Sequence, residues 1–239
     1  MPAVDDVKAW YNDLYTGRGL QSMRPREAYL VFLDLLAVRP GTRLLDVSCG
    51  PGFLLDAARA RGVDAVGVDL ARQAVKLAHQ VCPTCGVAVA NGEEIPFGNG
   101  LFDYVTCLGS LEHFLDMTQG VREMRRVATP TASLCIMVPN ANFVGWRLLG
   151  RRGTAQQDIN EQLLSVSAWR RFFESNGLEI VRVVPDRWHA VRWRAAPSPG
   201  LRRLILGPVL EAAWRLVPLR WQYQAIFLLR PRSTPATRP

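Results

Sequence analysis

Lysine is nearly missing from this chain: Lys8 and Lys76 are the only two, so arginine carries almost all of the positive charge. Histidine is also scarce, and His79, His113 and His189 are the only side chains that ordinarily titrate near neutral pH. No run approaches the roughly 18 apolar residues a bilayer-spanning helix needs. The first residues, Met1 to Asp13, are acidic and lack an apolar core, so no secretory signal is expected and the chain reads as cytosolic. The five cysteines are scattered, several of them in predicted strands, which argues against a disulfide framework. Cys82-Pro-Thr-Cys85 has the spacing of half a zinc knuckle, but no second pair stands at ligand spacing, so no metal is expected. Internal repeats and low-complexity linkers are absent as well.

What the chain does contain is enough apolar material for one large core: 239 residues, 49% of them hydrophobic. The formal net charge of +8 is unevenly placed, because residues 141–239 hold 16 of the 29 basic side chains but 6 of the 21 acidic ones. Such asymmetry fits a C-terminal part that faces an anionic substrate or surface, although an arginine-rich composition alone would produce the same numbers.

The most informative stretch is residues 43–55, Arg-Leu-Leu-Asp-Val-Ser-Cys-Gly-Pro-Gly-Phe-Leu-Leu. An apolar run leads past Asp46 into a turn punctuated by Gly50 and Gly52, and a helical pattern follows from Phe53. Strand, glycine turn and helix together let a ligand lie directly against the backbone. A second apolar run, Ala65-Val66-Gly67-Val68, ends in Asp69. An acidic residue at the next strand tip is where α/β nucleotide sites hold ribose hydroxyls, so the two signals point to a nucleoside-containing cofactor.

Periodicity predicts helices over 4–14 and 25–37, then strand 43–47, helix 53–61, strand 64–69, helix 71–81 and a short strand 87–90. Strand 102–108, helix 117–127, strand 132–138, helix 167–175, strand 178–184 and strand 224–229 complete the alternation. Asn176-Gly177 is a good helix stop. The repeated strand–helix order predicts an α/β protein with a mostly parallel sheet covered on both faces. We expect a single domain over 1–239, with cap helices over 1–40, a binding core over 43–140, and an acceptor-binding region with the last strands over 141–230. That region carries an insertion at 185–222, and a flexible tail is expected over 231–239.

The chain resembles the class I S-adenosylmethionine-dependent methyltransferases, in their small-molecule branch. Leu45-Asp-Val-Ser-Cys-Gly-Pro-Gly52 is similar to the family's first motif and Val66-Gly-Val-Asp-Leu-Ala71 to its second. Asn91-Gly-Glu-Glu-Ile-Pro-Phe97 is similar to the adenine-contacting motif, and Phe102 to His113 to the strand-four motif. Glu123 with Arg126-Val127 is similar to the helix that follows. The resemblance implies a Rossmann-like seven-stranded sheet with an antiparallel last strand, and S-adenosylmethionine as cofactor. A nicotinamide dinucleotide is disfavoured, because Leu55 stands where the third glycine of its fingerprint would fall.

Carried over residue by residue, the resemblance places Gly50 and Gly52, with the backbone of Ser48 and Cys49, beneath the methionine and ribose. Asp46 orients the loop and, through water, the cofactor ammonium. Asp69, next to Leu70, accepts the ribose hydroxyls. Asn91 meets the adenine amino group, Gly92 or Glu93 offers an N–H to the ring, and the Leu108 carbonyl meets the ammonium. Ser48 stands where the family's first glycine usually sits, and an extended backbone is expected there. Asn91 stands where aspartate is commoner; its oxygen still accepts from an amine.

Methyl transfer to oxygen or carbon requires a proton to leave the acceptor, and His113 is the leading base, with Glu112 a weaker alternative. Pocket shaping is the competing role for His113. Trp10, Tyr11, Leu14 and Tyr15 share adjacent faces of the first helix, which is expected to act as a lid, with Tyr11 and Tyr15 near the cofactor; a plain sheet cap would carry the same pattern. Arg24 is a candidate for the cofactor carboxylate. Acceptor recognition is expected from Asn140 to Asn160, with Phe143, Trp146, Arg147, Arg151 and Arg152, and from the insertion, with Trp188, His189, Trp193, Trp214 and Trp221. An apolar stripe from Leu201 to Leu216, interrupted near Gly207-Pro208 and flanked by Arg202, Arg203 and Arg215, reads as core packing or a homodimer contact. A peripheral membrane contact through 201–221 is the rival. No appended nucleic-acid module or Asn-Pro-Pro-Tyr-type motif is present, so nucleic acid is not an expected partner. The reading is therefore methyl transfer from S-adenosylmethionine to a small apolar or aromatic acceptor, against a lipid or quinone acceptor or a non-catalytic binding scaffold.

Overall fold

The computed structural model describes residues 2–22, 24–148, 150, 153, 159–188 and 201–232. Strand β1 (Arg43–Val47) shows why the sequence alternates as it does. Leu45 and Val47 point into one core layer while Leu44 points into the other, the period of two that a doubly covered strand imposes. Strands β2 (Asp64–Asp69), β3 (Gly86–Val89), β4 (Phe102–Leu108), β5 (Ala128–Pro139), β6 (Leu178–Pro185) and β7 (Gln224–Pro231) complete a seven-stranded sheet of order β3-β2-β1-β4-β5-β7-β6. The pairs β3–β2, β2–β1, β1–β4 and β4–β5 are parallel. Strand β7 runs antiparallel to both β5 and β6. The order reverses direction at β1, between β2 and β4, and a cleft opens there beyond the strand ends.

Helices α1 (Val4–Arg18), α2 (Leu30–Leu36), α3 (Phe53–Arg59), α4 (Arg72–Val81), α5 (Met117–Val127), α6 (Val144–Leu148), α7 (Val166–Ser175) and α8 (Leu201–Leu216) connect and cover the strands. In α5, Met117, Val121 and Met124 recur at three- and four-residue spacing and enter one core layer with Trp169 and Phe173 of α7. Asp116 caps α5 by accepting from the Gln119 N–H at 2.9 Å, and Ser165 caps α7 by accepting from Ala168 at 3.2 Å. On the other face, Phe32, Leu33 and Leu36 of α2 meet Leu54, Leu55, Ala57 and Ala58 of α3. Helix α1 lies against α4, where Tyr15 packs with Ala71, Ala74 and Leu77 and Asn12 accepts from the Gln73 N–H at 3.0 Å.

Three features depart from expectation. Helix α8 runs through Gly207-Pro208 without a break. Glycine before the proline has no Cβ to clash with the ring, which lifts the usual bar on helical backbone at that position. Cys82 and Cys85, at the end of α4, are joined as a disulfide, whereas Cys49, Cys107 and Cys135 are free and buried. A bond across three residues staples one turn and builds no framework. Strand β5 also begins at Ala128, directly after α5. His189, Trp193, Arg151, Arg152 and residues 233–239 of the expected tail lie outside the described residues, as do the side chains of Arg147, Leu201, Arg202, Arg203, Leu204 and Ile205.

Candidate active site

The parallel register sets Asp46 beside Gly67 on one side and Thr106 on the other. The Thr106 hydroxyl donates to Asp46 Oδ1 at 2.6 Å. Both side chains are buried, and burial pushes the Asp46 carboxyl up to about 7 against the lowering effect of that hydrogen bond. One strand over, Asp69 accepts from the Gly50 N–H at 2.8 Å and the Ala71 N–H at 2.9 Å. Burial raises it to about 6, with the two backbone donors opposing. A carboxylate accepts about four hydrogen bonds, so Asp69 can hold the loop and still receive ligand hydroxyls.

Between these carboxylates the loop turns through left-handed backbone at Ser48 (φ 59°), Gly50 (φ 52°) and Gly52 (φ 78°). The extended backbone expected at Ser48 is not found. A left-handed serine costs roughly 1 kcal/mol more than glycine would, so the loop holds mild strain where it approaches the crevice. A Cβ on Gly50 would come within 3.1 Å of the Tyr15 hydroxyl, and one on Gly52 within 3.0 Å of Ala78 Cβ. The first glycine thus serves the crevice and the second serves helix packing.

Two cavities meet at this loop. One, ≈ 60 Å³, is bordered by Asp69, Leu70, Asn91, Gly92, Glu93 and His113; the other, ≈ 170 Å³, by Asp46, Cys49, Gly50, Leu108, Gly109 and Tyr29. Tyr11, Tyr15, Ser48 and Ser110 border both, so the first helix lays its tyrosines across the crevice. Every sequence-predicted cofactor residue except Gly52 and Arg24 therefore lines one of the two cavities. Asn91 accepts from the Glu93 N–H at 3.0 Å, which leaves the Gly92 N–H as the donor nearest that end. Glu93 Oε1 accepts from the Leu115 N–H at 2.8 Å and so fixes the wall behind it.

His113 follows β4 on a short turn, Leu111–His113, and is buried with Glu112. Its Nδ1 lies 2.5 Å from the Asn160 carbonyl, an acceptor only, so in the neutral imidazole Nδ1 carries the hydrogen and Nε2 the lone pair. Asn160 donates in turn to the carbonyls of His113 and Phe114 at 3.2 and 2.9 Å. His113 Nε2 stands 3.8 Å from Glu112 Oε1, and the Tyr11 ring meets the imidazole edge-on at 6.2 Å. Burial drives the Glu112 carboxyl up to about 8, with nearby Glu161 adding to the rise, so its surroundings favour the uncharged form. Burial and the surrounding carboxylates also raise the Tyr11 and Tyr15 phenols far above their ordinary range.

Sequence reasoning did not single out Thr106, Ser110 or Tyr29, and it named Asn160 only as the end of the acceptor segment. A lone threonine inside an apolar strand is the signal for Thr106, whereas Asn160 lies 47 positions from its partner with no pattern to reveal it. Arg24 Nη2 donates to Asp186 at 2.6 Å and Gln224 at 2.7 Å, while its Nη1 is buried without a hydrogen-bond partner. Beside it, Tyr29 is raised to about 12 by burial, and Arg24 opposes that rise from the same neighbourhood. Among the described residues no group of histidine, cysteine and acidic side chains could hold a metal.

A switch-point crevice with a left-handed glycine loop and an acidic residue at each flanking strand tip defines a class I Rossmann-like nucleoside site. A family model described as "Methyltransferase domain" matches residues 20–183, and the chain belongs to that family of S-adenosylmethionine-dependent enzymes. It is 36% identical over 143 residues to a protein of Hahella chejuensis named ubiquinone biosynthesis O-methyltransferase, covering 58% of this chain and 59% of that one. The chain thus spans about three-fifths of the length of that curated relative. A solved structure of the [4+2]-cyclase SpnF superposes with a TM-score of 0.63 at 17% identity, covering 87% of this chain and 81% of that one. Phosphoethanolamine N-methyltransferase 2 of Haemonchus contortus, solved with S-adenosylhomocysteine, gives 0.61 at 17% identity over 87% of this chain and 53% of that one. At such identities the likeness is one of fold, and the fold alone does not choose the reaction.

The residues fit the family's cofactor. The crevice is walled by polar groups at both ends, Asp69 with the Gly92 N–H at one and Asp46 with the Leu108 segment at the other. The buried Nη1 of Arg24, a donor without a hydrogen-bond partner on a guanidinium already paired with Asp186, stands close to Tyr29, which lines the second end.

Proposed function

We propose that this protein transfers a methyl group from S-adenosylmethionine to an oxygen of a small, apolar or aromatic acceptor. The observation that carries the choice of a proton-bearing acceptor is His113, whose Nδ1 faces the Asn160 carbonyl so that Nε2 can receive a proton. The O-methyltransferase name of the Hahella relative supports oxygen over carbon.

When bound, the cofactor supplies an electrophilic methyl carbon on a positively charged sulfur. Asp69 would accept its ribose hydroxyls, the Gly92 N–H would face the adenine, and Asp46 with the Leu108 carbonyl would face the ammonium. Arg24 would take the carboxylate through Nη1. Tyr11 and Tyr15 exclude water over the loop, which matters because alignment and a dry crevice supply most of the acceleration in such a transfer. His113 Nε2 receives the acceptor's proton; Asn160 holds the ring in position. Glu112, whose burial favours the uncharged carboxyl, serves as a neighbour to the imidazole and a weaker candidate base than His113.

Calorimetry with S-adenosylhomocysteine and turnover with a simple catechol test this reading together. Asp69→Ala is expected to weaken cofactor binding at least about tenfold. His113→Ala is expected to leave binding within about twofold and to lower turnover at least about tenfold. A wild-type protein that binds neither cofactor form would be a scaffold and not an enzyme, and unaltered turnover in His113→Ala would remove that residue from the mechanism.

A lipid-borne or quinone acceptor is the second reading, and α8 favours it. Leu206, Val209, Leu210 and Leu216 are 49%, 62%, 64% and 84% exposed on this helix. The Arg220 guanidinium stacks 4.6 Å from the ring of Trp221, which is itself half-exposed. Apolar side chains edged by arginine and tryptophan suit an anionic membrane surface. No described helix is long and apolar enough to cross a membrane. The wild type should pellet with phosphatidylglycerol vesicles at low salt and Leu210→Glu should stay in solution; a wild type that does not pellet defeats this reading.

A further inference from the structure

A cavity of ≈ 730 Å³ lies apart from the crevice, between α2 with its preceding turn and the β6–β7 edge of the sheet. Ala28, Val31 and Leu35 present one face of the helical segment to it, and Val31 is 44% exposed as a result. Opposite stand Val184 of β6 and Ile226 of β7, which are register partners on the same sheet face. Helix and sheet diverge here, where in the rest of the layer they pack. Arg182 and Arg187 border the cavity, and among the described residues neither is joined in an ion pair. Asp186 stands in the wall but is committed: Oδ2 accepts from Arg24 at 2.6 Å and Oδ1 from the Trp188 N–H at 3.1 Å.

We propose that this cavity binds a single-chain amphiphile, an apolar chain ending in a carboxylate. Its volume falls in the range that encloses a small-molecule ligand. Seven positions separate Ala28 from Leu35, about 10 Å along a helix, which is the length of roughly eight methylene groups. Apart from the two arginines and the exposed Glu27 at the border, the walls are apolar and the one buried acid is already paired, so the uncharged body of a sugar or nucleoside would find little to bond. Two arginines at the border reward an anionic head with charge-assisted hydrogen bonds, and a neutral alcohol would forgo them. The concavity favours an inserted chain over a second copy of this protein.

Calorimetric titration with sodium decanoate, below its micellar range and with or without saturating S-adenosylhomocysteine, tests the proposal. One site with micromolar affinity is expected, unaffected by the cofactor analogue. Val31→Trp, which fills a half-exposed position, should abolish it, and Ala28→Trp serves as an independent filling variant should the first not fold. Removing both arginines (Arg182→Ala with Arg187→Ala) should weaken decanoate at least about tenfold and leave decanol unchanged. Circular dichroism and retained S-adenosylhomocysteine binding report that each variant is folded. The proposal is overturned by an absence of saturable binding, by undiminished binding in the filled variants, or by equal affinity for decanol and decanoate. Displacement by the cofactor analogue, or a wild-type dimer that becomes monomeric only when the cavity is filled, would overturn it equally.

Discussion

Glu112 is a residue whose surroundings strongly oppose its ordinary ionisation. Its carboxyl is buried, Oε2 has no hydrogen-bond partner, and the pKa is pushed up to about 8. The unfolded chain ionises this group near its usual value, so between that value and about 8 the native state holds one more proton than the unfolded state. Stability from this group is therefore greatest at low pH and is lost as pH rises towards 8. Asp46 and Asp69, raised to about 7 and about 6, contribute in the same direction over narrower windows. Urea unfolding at pH 5 and pH 8 should show the wild type losing stability, and Glu112→Gln losing about 1–3 kcal/mol less. An unchanged pH dependence in the variant would mean that Glu112 is already ionised in the folded protein. Legibility at this scale was uneven. Asp46, Asp69 and the glycines stand out because strand tips and turns restrict residue type. The Ser48 backbone did not, because serine is unremarkable in a turn and only the φ of 59° reveals the strain.

At the scale of elements, β1, β2, β4 and α5 have the bounds that periodicity predicts. These are buried on two faces or strongly amphipathic, so the apolar pattern alone delimits them. Strand β5 extends four residues earlier than predicted because Thr129, Pro130 and Thr131 carry no apolar signal, yet the chain there continues directly from α5. Helix α1 runs on to Arg18, beyond the predicted stop at Leu14. Its tyrosines divide the crevice into two compartments, which makes it the element that must yield when a ligand spans both. Tyr15→Ala should join the compartments and raise both association and dissociation rates of S-adenosylhomocysteine severalfold in stopped-flow measurements. Rates equal to the wild type would show α1 to be a static cap. The link from Asn12 to the Gln73 N–H tethers this helix to α4.

At the scale of the molecule, the sheet is joined out of sequence order: β7 lies between β5 and β6 and bonds both. The cofactor strands β3, β2, β1, β4 and β5 form a contiguous parallel block with β7 and β6 beyond it. A fragment ending at Gln222 should lose protection from hydrogen exchange throughout β6 while the β1 and β4 amides keep theirs. A synthetic peptide covering Tyr223 to Arg232 should restore β6. Simultaneous loss of protection in β1 would show that the sheet is a single cooperative unit. Arg24, reaching Asp186 and Gln224 across 162 and 200 positions, hydrogen-bonds the N-terminal cap to this late-forming edge.

That insertion has a consequence for biosynthesis. As the polypeptide leaves the ribosome, β6 emerges with no neighbour to bond, and it must wait for α8 and β7 before it can join the sheet. Throughout that interval the outer rim of β5 and the whole of β6 are bare templates, open to chaperones or to another nascent copy, and arrival of β7 closes both together.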